Sequence, residues 1–216
     1  MSTGIDHLEL SKQLRERLQS FDSIVSWYGS TREEFRAAML AINPRCVFHW
    51  ALPRDLSLHA TDFYAQQVGA LSGLIPRIRV NQTGTRDTVV IHPFSGSKRK
   101  NWPLENYREL ARLLDARVDW LAGPEEDLPE AHRFDNLAHV AAFLAGARLY
   151  IGNDSGITHL AAAVGVKTIA IFGPASPRIW VPRGENVELI AVSDLTNLTP
   201  SYVARVANRL LGSRSF

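Results

Sequence analysis

The chain has 216 residues, of which 45% are hydrophobic and 21% charged, a length that allows one large domain or one and a half. The apolar fraction is ordinary for a globular protein and too high for a disordered one. No apolar run reaches the roughly 18 residues of a membrane span. The 24 basic and 22 acidic residues give a net charge of +2, which argues against a nucleic-acid-binding protein.

One cysteine, Cys46, excludes an intramolecular disulfide framework and a zinc site built from several thiolates. Residues 1–9 have no basic region followed by an apolar core, so no secretory signal peptide is expected. We therefore expect a cytoplasmic protein, either free or peripheral to the inner membrane. The basic run 98–100 on a nearly neutral chain indicates a compact anionic ligand.

The first third of the chain is predicted to alternate between helices and strands. Apolar periodicity places helices at residues 8–18, 31–40 and 61–71, and strands at 23–27 and 45–50. Thr31 with Glu34 three residues later matches a capping box, and Thr61 is the expected cap of the third helix. Residues 75–87 are predicted to be a linker, and the boundary between an N-terminal segment (1–85) and a C-terminal domain (86–216) lies within it.

The C-terminal domain alternates more clearly. Strands are predicted at 88–92, 118–122, 148–152, 168–172 and 187–192, and helices at 104–114, 137–145, 157–164 and 200–211. Continuous apolar strands that alternate with helices are typical of a parallel sheet covered on both faces. The predicted fold class is α/β, with a doubly wound, Rossmann-like sheet after a partial N-terminal α/β segment.

Ligands of such sheets bind beyond the carboxyl ends of the strands. In the loop after the strand 88–92, Ser95, Gly96 and Ser97 offer hydroxyl and backbone N–H groups, and Lys100 adds a positive charge, as an anion site requires. The alternative is a solvated turn with surface lysines.

The loop after the strand 148–152 leads directly into a helix. Asp154, Ser155 and Gly156 precede or open it, where unpaired N–H groups and the helix dipole favour a phosphate, and His159 lies on its first turn. Alternatively, Asp154 or Ser155 only caps the helix and His159 packs. Glu125, after the strand 118–122, suits a contact with ribose hydroxyls or is a solvated acid.

These strings together resemble glycosyltransferase family nine, the ADP-heptose:lipopolysaccharide heptosyltransferases. The matching strings are His92-Pro93 through Ser95-Gly96-Ser97, Lys100-x-Trp102-Pro103, Gly123-Pro124-Glu125, Gly152-Asn153-Asp154-Ser155-Gly156-x-x-His159, Phe172-Gly173-Pro174 and Trp180-x-Pro182. The resemblance implies a GT-B fold of two Rossmann-like domains, with the donor sugar nucleotide, an ADP-linked one in this family, bound mainly by the C-terminal domain.

The resemblance also implies roles for the predicted site residues. Ser95, Gly96, Ser97 and Lys100 correspond to the pyrophosphate and sugar contacts, Glu125 to the nucleoside contact, and Asp154, Ser155, Gly156 and His159 to the donor-sugar and phosphate contacts at the helix start. Family members transfer heptose with inversion and without a bound metal, so we expect no metal and no cofactor besides the nucleotide-sugar co-substrate. The acceptor would be of lipopolysaccharide type.

The N-terminal segment departs from the family. The strand and Gly-Asp loop that supply the general base have no counterpart ahead of Asp22, and Asp6 gives only a faint echo, so no catalytic residue is assigned. The candidate functions are an inverting glycosyltransferase, a nucleotide-sugar-binding or interaction protein without catalysis, or, with least support, a nucleotide-sugar epimerase. An incomplete N-terminal domain would leave apolar surface uncovered, which favours a homodimer.

Overall fold

The fold is described by a computed structural model, which covers residues 10–53, 57–81 and 84–212. Asp6 and the start of the first predicted helix lie outside the described residues. The chain divides into two compact units between Ala70 and Leu71, before the boundary predicted after residue 85.

The predicted linker is irregular, and it packs with the second unit. The N–H of Ile78 donates to the carbonyl of Ala163 at 2.8 Å, and Arg77 forms an ion pair with Glu185. These contacts account for the earlier division of the chain.

The first unit is a small β-α-β arrangement with flanking helices. Its elements are α1 (Lys12–Gln19), β1 (Ile24–Ser26), α2 (Glu33–Ile42), β2 (Cys46–Phe48) and α3 (Ala60–Gln67). The two strands pair in parallel, and one side of the sheet packs on a core of Leu18, Phe35, Met39, Ile42 and Cys46. Val25 and Val47, which lie opposite each other in register, are 45% and 49% exposed.

Two predicted helix caps in this unit are wrong. Helix α2 begins after Arg32, without a side-chain cap, because a turn closed by Arg32 N–H to the carbonyl of Gly29 holds Thr31 before the cap position. Helix α3 begins one residue earlier than predicted, so its cap is His59, whose Nδ1 accepts from the N–H of Thr61 at 3.1 Å.

The second unit contains five parallel strands between two helix layers. Its elements are β3 (Thr88–His92), α4 (Leu104–Leu113), β4 (Arg117–Trp120), α5 (Leu137–Ala145), β5 (Leu149–Asn153), α6 (Gly156–Ala163), β6 (Thr168–Phe172), α7 (Pro177–Trp180), β7 (Val187–Ala191) and α8 (Pro200–Leu211). The strand order is β4-β3-β5-β6-β7. This is the predicted doubly wound sheet, to which α7 and two 3₁₀ turns, Lys98–Lys100 and Leu195–Asn197, are added.

The apolar strand runs explain the two layers. All residues of β3, β5 and β6 are buried, and successive side chains point to opposite faces. Val89 and Ile91 pack in the cluster that includes α4 and α8, whereas Val90 and Tyr150 pack with α5 and α6. Burying both faces in this way supplies most of the stabilisation of a parallel sheet.

The strand order also places the ligand site. The chain winds from β3 outward to β4 and then returns to β5 on the other side of β3. At such a switch point the loops after the two adjacent strands diverge and leave a crevice, where doubly wound proteins bind their ligands. The strand order therefore places the expected crevice between the loop after β3 and the junction of β5 with α6.

Candidate functional site

The two loops at the switch point are joined by an ion pair. Lys100 Nζ, in the 3₁₀ turn after β3, lies 3.0 Å from Asp154 Oδ2, directly after β5. The side chains are 30% and 10% exposed, so the pair is only partly screened by solvent. Two residues predicted from separate strings are thus in direct contact.

The loop between β3 and the 3₁₀ turn is shaped by its own polar groups. The Ser95 hydroxyl lies 2.7 Å from Asn101 Oδ1 and 2.9 Å from the carbonyl of Ser97, so its proton is used within the loop. Gly96 is exposed, and a Cβ placed on it would meet no atom within 4 Å. The glycine therefore leaves the backbone approachable from the side that a Cβ would fill.

Helix α6 opens with a side-chain cap and an accessible glycine. Ser155 is buried and its Oγ accepts from the N–H of Thr158 at 3.4 Å, so the capping alternative describes this residue. Within the described chain, the N–H groups of Gly156 and Ile157 donate to no protein acceptor. A Cβ on Gly156 would meet nothing within 4 Å. Free N–H groups at an open helix N-terminus suit an anion.

A cluster of buried hydroxyl groups holds the first turn of α6 against the end of β5. Thr158 Oγ1 donates to the carbonyl of Asn153 and lies 3.1 Å from both the Tyr150 and Ser155 hydroxyls. Burial raises the pKa of Tyr150 well above its ordinary range, so this hydroxyl stays protonated. His159, one turn into the helix, is exposed.

The loop after β4 contains the predicted nucleoside contact, Glu125. Glu125 is exposed, and no contact brings it to the other predicted site residues. The neighbouring Glu126 is held instead, because its Oε2 accepts from the N–H of Gly123 at 2.6 Å and from His92 Nε2 at 3.1 Å. Burial alone would raise the pKa of Glu126, but these hydrogen bonds outweigh burial and lower it.

Sequence reasoning missed the residues that brace the loops to one another. His92 and Glu126 connect the end of β3 to the loop after β4, and Asn153 connects β5 to the loop after β3. The available signal was the polar residue at the end of β3 and of β5, His92 and Asn153, since a buried polar group requires a partner.

Among the described ranges, no three His, Cys, Asp or Glu side chains are arranged to hold a metal ion, and no helix there has the length and apolar character needed to cross a bilayer. A groove of about 550 Å³ lies beside the edge strand β7, lined by residues 189–192 and 197–199 and by Tyr202. Its lining carries no charge, so it does not suit a diphosphate.

Comparison with known proteins identifies similar chains. The family model of glycosyltransferase family 9 (heptosyltransferase) matches residues 52–203. Lipopolysaccharide heptosyltransferase 1 of Salmonella typhimurium is 34% identical over 102 residues, or 40% of this chain and 32% of that protein. The Pseudomonas aeruginosa protein of the same name is 36% identical over 93 residues, 36% of this chain and 26% of the relative. The chain thus matches about a third or less of these relatives.

Solved structures show the same fold. An Escherichia coli heptosyltransferase with ADP has a TM-score of 0.69 and 22% identity, over 92% of this chain and 76% of that one. A family 9 glycosyltransferase from Veillonella parvula has a TM-score of 0.67 and 16% identity, over 94% and 78% of the two chains. The predicted α/β, GT-B-like fold class is confirmed.

Proposed function

The chain belongs to glycosyltransferase family 9, and we propose that its second unit binds the ADP-linked heptose donor of a heptosyltransferase. The observation that carries this proposal is the convergence of the Lys100–Asp154 pair and the open N-terminus of α6 at the switch point. Similarity to heptosyltransferases, one of them solved with ADP, supports the choice of nucleotide.

The diphosphate would lie between the loop after β3 and α6. The backbone N–H of Gly96 would approach it from one side, and those of Gly156 and Ile157 from the other. Lys100 would contribute a charge-assisted contact. The donor sugar would contact Asp154 and His159, and the nucleoside would extend toward the loop after β4, where Glu125 accepts from the ribose hydroxyls.

The charges of the crevice explain how transfer would proceed without a metal. Asp154 neutralises much of the Lys100 charge in the free protein, so the backbone N–H groups and the helix dipole carry a large part of anion binding. When an acceptor hydroxyl oxygen bonds to the anomeric carbon, the bond from that carbon to the diphosphate breaks and the leaving oxygen gains charge. Preorganised donors at that oxygen stabilise the transition state.

Inverting heptose transfer to a lipopolysaccharide-type acceptor, the complete reaction implied by such a donor, also requires a general base. The acceptor proton must pass to a general base, a contribution of typically 10²–10⁴-fold. No described residue is assigned as that base, which would come from Asp6, from elsewhere in the chain or from a partner chain.

Calorimetric titration of the chain with ADP, GDP, UDP and their sugar conjugates tests donor binding. We expect ADP-linked ligands to bind and, at a hundred times Kd, to stabilise the fold by about 2.7 kcal/mol. Absence of binding by every nucleotide at millimolar concentration would refute the proposal.

A transfer assay with ADP-heptose then separates the enzyme from a binding protein. We expect this chain alone to bind the donor with negligible transfer. Robust turnover would contradict that expectation, and its loss in Asp6→Asn would identify Asp6 as the base.

A further inference from the structure

Asn153 is the residue on which the two halves of the crevice depend. It is the last residue of β5, it is fully buried, and the proposed function gives its side chain no contact with the donor. We propose that Asn153 is a positioning residue that closes the loop after β3 at both ends and fixes it to the start of α6. This inference rests on the proposed function.

The side-chain amide of Asn153 holds both ends of the loop 94–101. Its Nδ2 donates to the carbonyl of Pro93 at 2.8 Å, and its Oδ1 accepts from the N–H of Trp102 at 3.0 Å. A single planar group therefore sets the separation of the loop ends, because the amide supplies the donor for one end and the acceptor for the other.

The second end of the loop is further immobilised by Trp102. This side chain is 1% exposed, its indole N–H donates to the carbonyl of Leu198 at 3.0 Å, and its ring packs edge-on against Tyr107. Because Trp102 cannot shift, the bond to Asn153 fixes the loop relative to β5.

The backbone of Asn153 extends the connection to α6. Its carbonyl accepts from Thr158 Oγ1 on the first turn of the helix, and the next residue, Asp154, holds Lys100. Asn153 thus bonds both to the loop that contains Gly96 and to the first turn of the helix that begins at Gly156. The spacing of the N–H donors of Gly96 and Gly156, which must match a diphosphate, is set through Asn153.

Tyr107 provides a matched control. Its hydroxyl also donates to Asn153 Oδ1, at 2.9 Å, but it holds neither end of the loop. Tyr107→Phe therefore removes a buried hydrogen bond from the same side chain without opening the loop. We expect it to lower the melting temperature while the Kd for ADP changes less than twofold.

Two substitutions of Asn153 test the proposal by titration with ADP and with adenosine. Asn153→Ser cannot span both ends, and we expect its Kd for ADP to rise about tenfold at pH 8 and pH 5.5. Asn153→Asp keeps the acceptor but loses the donor when ionised. Burial favours the neutral form of the new side chain, and this form can again donate to the carbonyl of Pro93. We therefore expect the Kd of Asn153→Asp for ADP to exceed the wild-type Kd by more than tenfold at pH 8 and by less than threefold at pH 5.5.

The outcomes distinguish this inference from the proposed function. Wild-type affinity for ADP in Asn153→Ser, or an equal loss for adenosine, overturns the positioning role. Failure of the wild type to bind ADP refutes the proposed function instead. If both variants unfold, hydrogen exchange on the wild type decides: the Trp102 amide should exchange as slowly as the amides of β5, and fast exchange overturns the inference.

Discussion

The two ends of the crevice are built differently. At the phosphate end, the groups that would meet the ligand come from two loops tied together by Lys100, Asp154 and Asn153. At the nucleoside end, the predicted contact Glu125 is exposed, and only its neighbour Glu126 is fixed to the fold. For the proposed donor, this difference implies that the phosphates would be recognised by a preorganised frame, whereas the nucleoside would meet a side chain that must be ordered on binding.

Lys100→Ala should have the largest effect and should confine it to the phosphate end. The change removes a charge-assisted contact and leaves Asp154, 10% exposed, without its cation. We expect ADP binding to weaken by about 2 kcal/mol, or roughly thirtyfold in Kd, with adenosine unaffected. Calorimetry measures both.

Lys98→Ala is the matched control for that prediction, because Lys98 lies in the same turn with an exposed side chain. An equal loss of ADP and adenosine affinity in Lys100→Ala would place Lys100 away from the phosphates. Equal behaviour of the two alanine variants would indicate a solvated basic surface.

Gly156→Ala should change the affinity for ADP without lowering the folding stability. No protein atom lies within 4 Å of the added Cβ, so folding stability should stay level or rise by up to about 1 kcal/mol. The methyl group would nevertheless displace the anion from the helix N-terminus, at about 1.5 kcal/mol or roughly tenfold in Kd. Thermal melts and ADP titration of the same sample test both statements. Unchanged ADP affinity would show that no ligand approaches here.

At the phosphate end, the sequence predicted the strands and the loops but not the contacts that join the loops. The buried strands and the doubly wound sheet were predicted because the strands have apolar centres, such as residues 89–91 of β3. The positions of Lys100 and Asp154 after two strands of one parallel sheet placed them at the same edge of that sheet, but the ion pair between them was not predicted. The positioning role of Asn153 was not predicted, because it depends on hydrogen bonds to the backbone of Pro93 and Trp102 that form only in the folded chain.

The nucleoside end marks the limit of that reasoning. Glu125 and Glu126 are adjacent acids of the same type, and only the turn from Gly123 decides which carboxylate points inward. The wrong caps at Thr31 and Thr61 have a similar origin, since a one-residue shift in the helix start changes which side chain can cap it.

Glu126→Gln should destabilise the fold by about 1 kcal/mol at pH 7, because two donors lose an ionised acceptor. The pKa of Glu126 is lower in the folded chain than its ordinary 4.5, so the carboxylate's contribution is present above pH 4.5 and is lost as the pH falls through the folded-state pKa. Urea denaturation at pH 7 and pH 3.5 should show a smaller difference between the two proteins at the lower pH. A constant difference would contradict the assignment.

Glu125→Gln should have the smallest effect, and it should act on both ligands alike. Loss of a ribose contact by an exposed carboxylate is expected to weaken ADP and adenosine by the same factor, roughly threefold. If the substitution weakened the binding of ADP but not of adenosine, Glu125 would contact the phosphates instead of the ribose. The two ends of the crevice would then not differ as described.

An NMR titration of the chain with ADP tests the central claim most directly, because it reports where the diphosphate binds. We expect the amide signals of Gly96, Ser97 and Gly156 to shift most, with those of the loop after β4 shifting less. Dominant shifts around Tyr202, in the uncharged groove beside β7, with the switch-point amides unmoved, would contradict it.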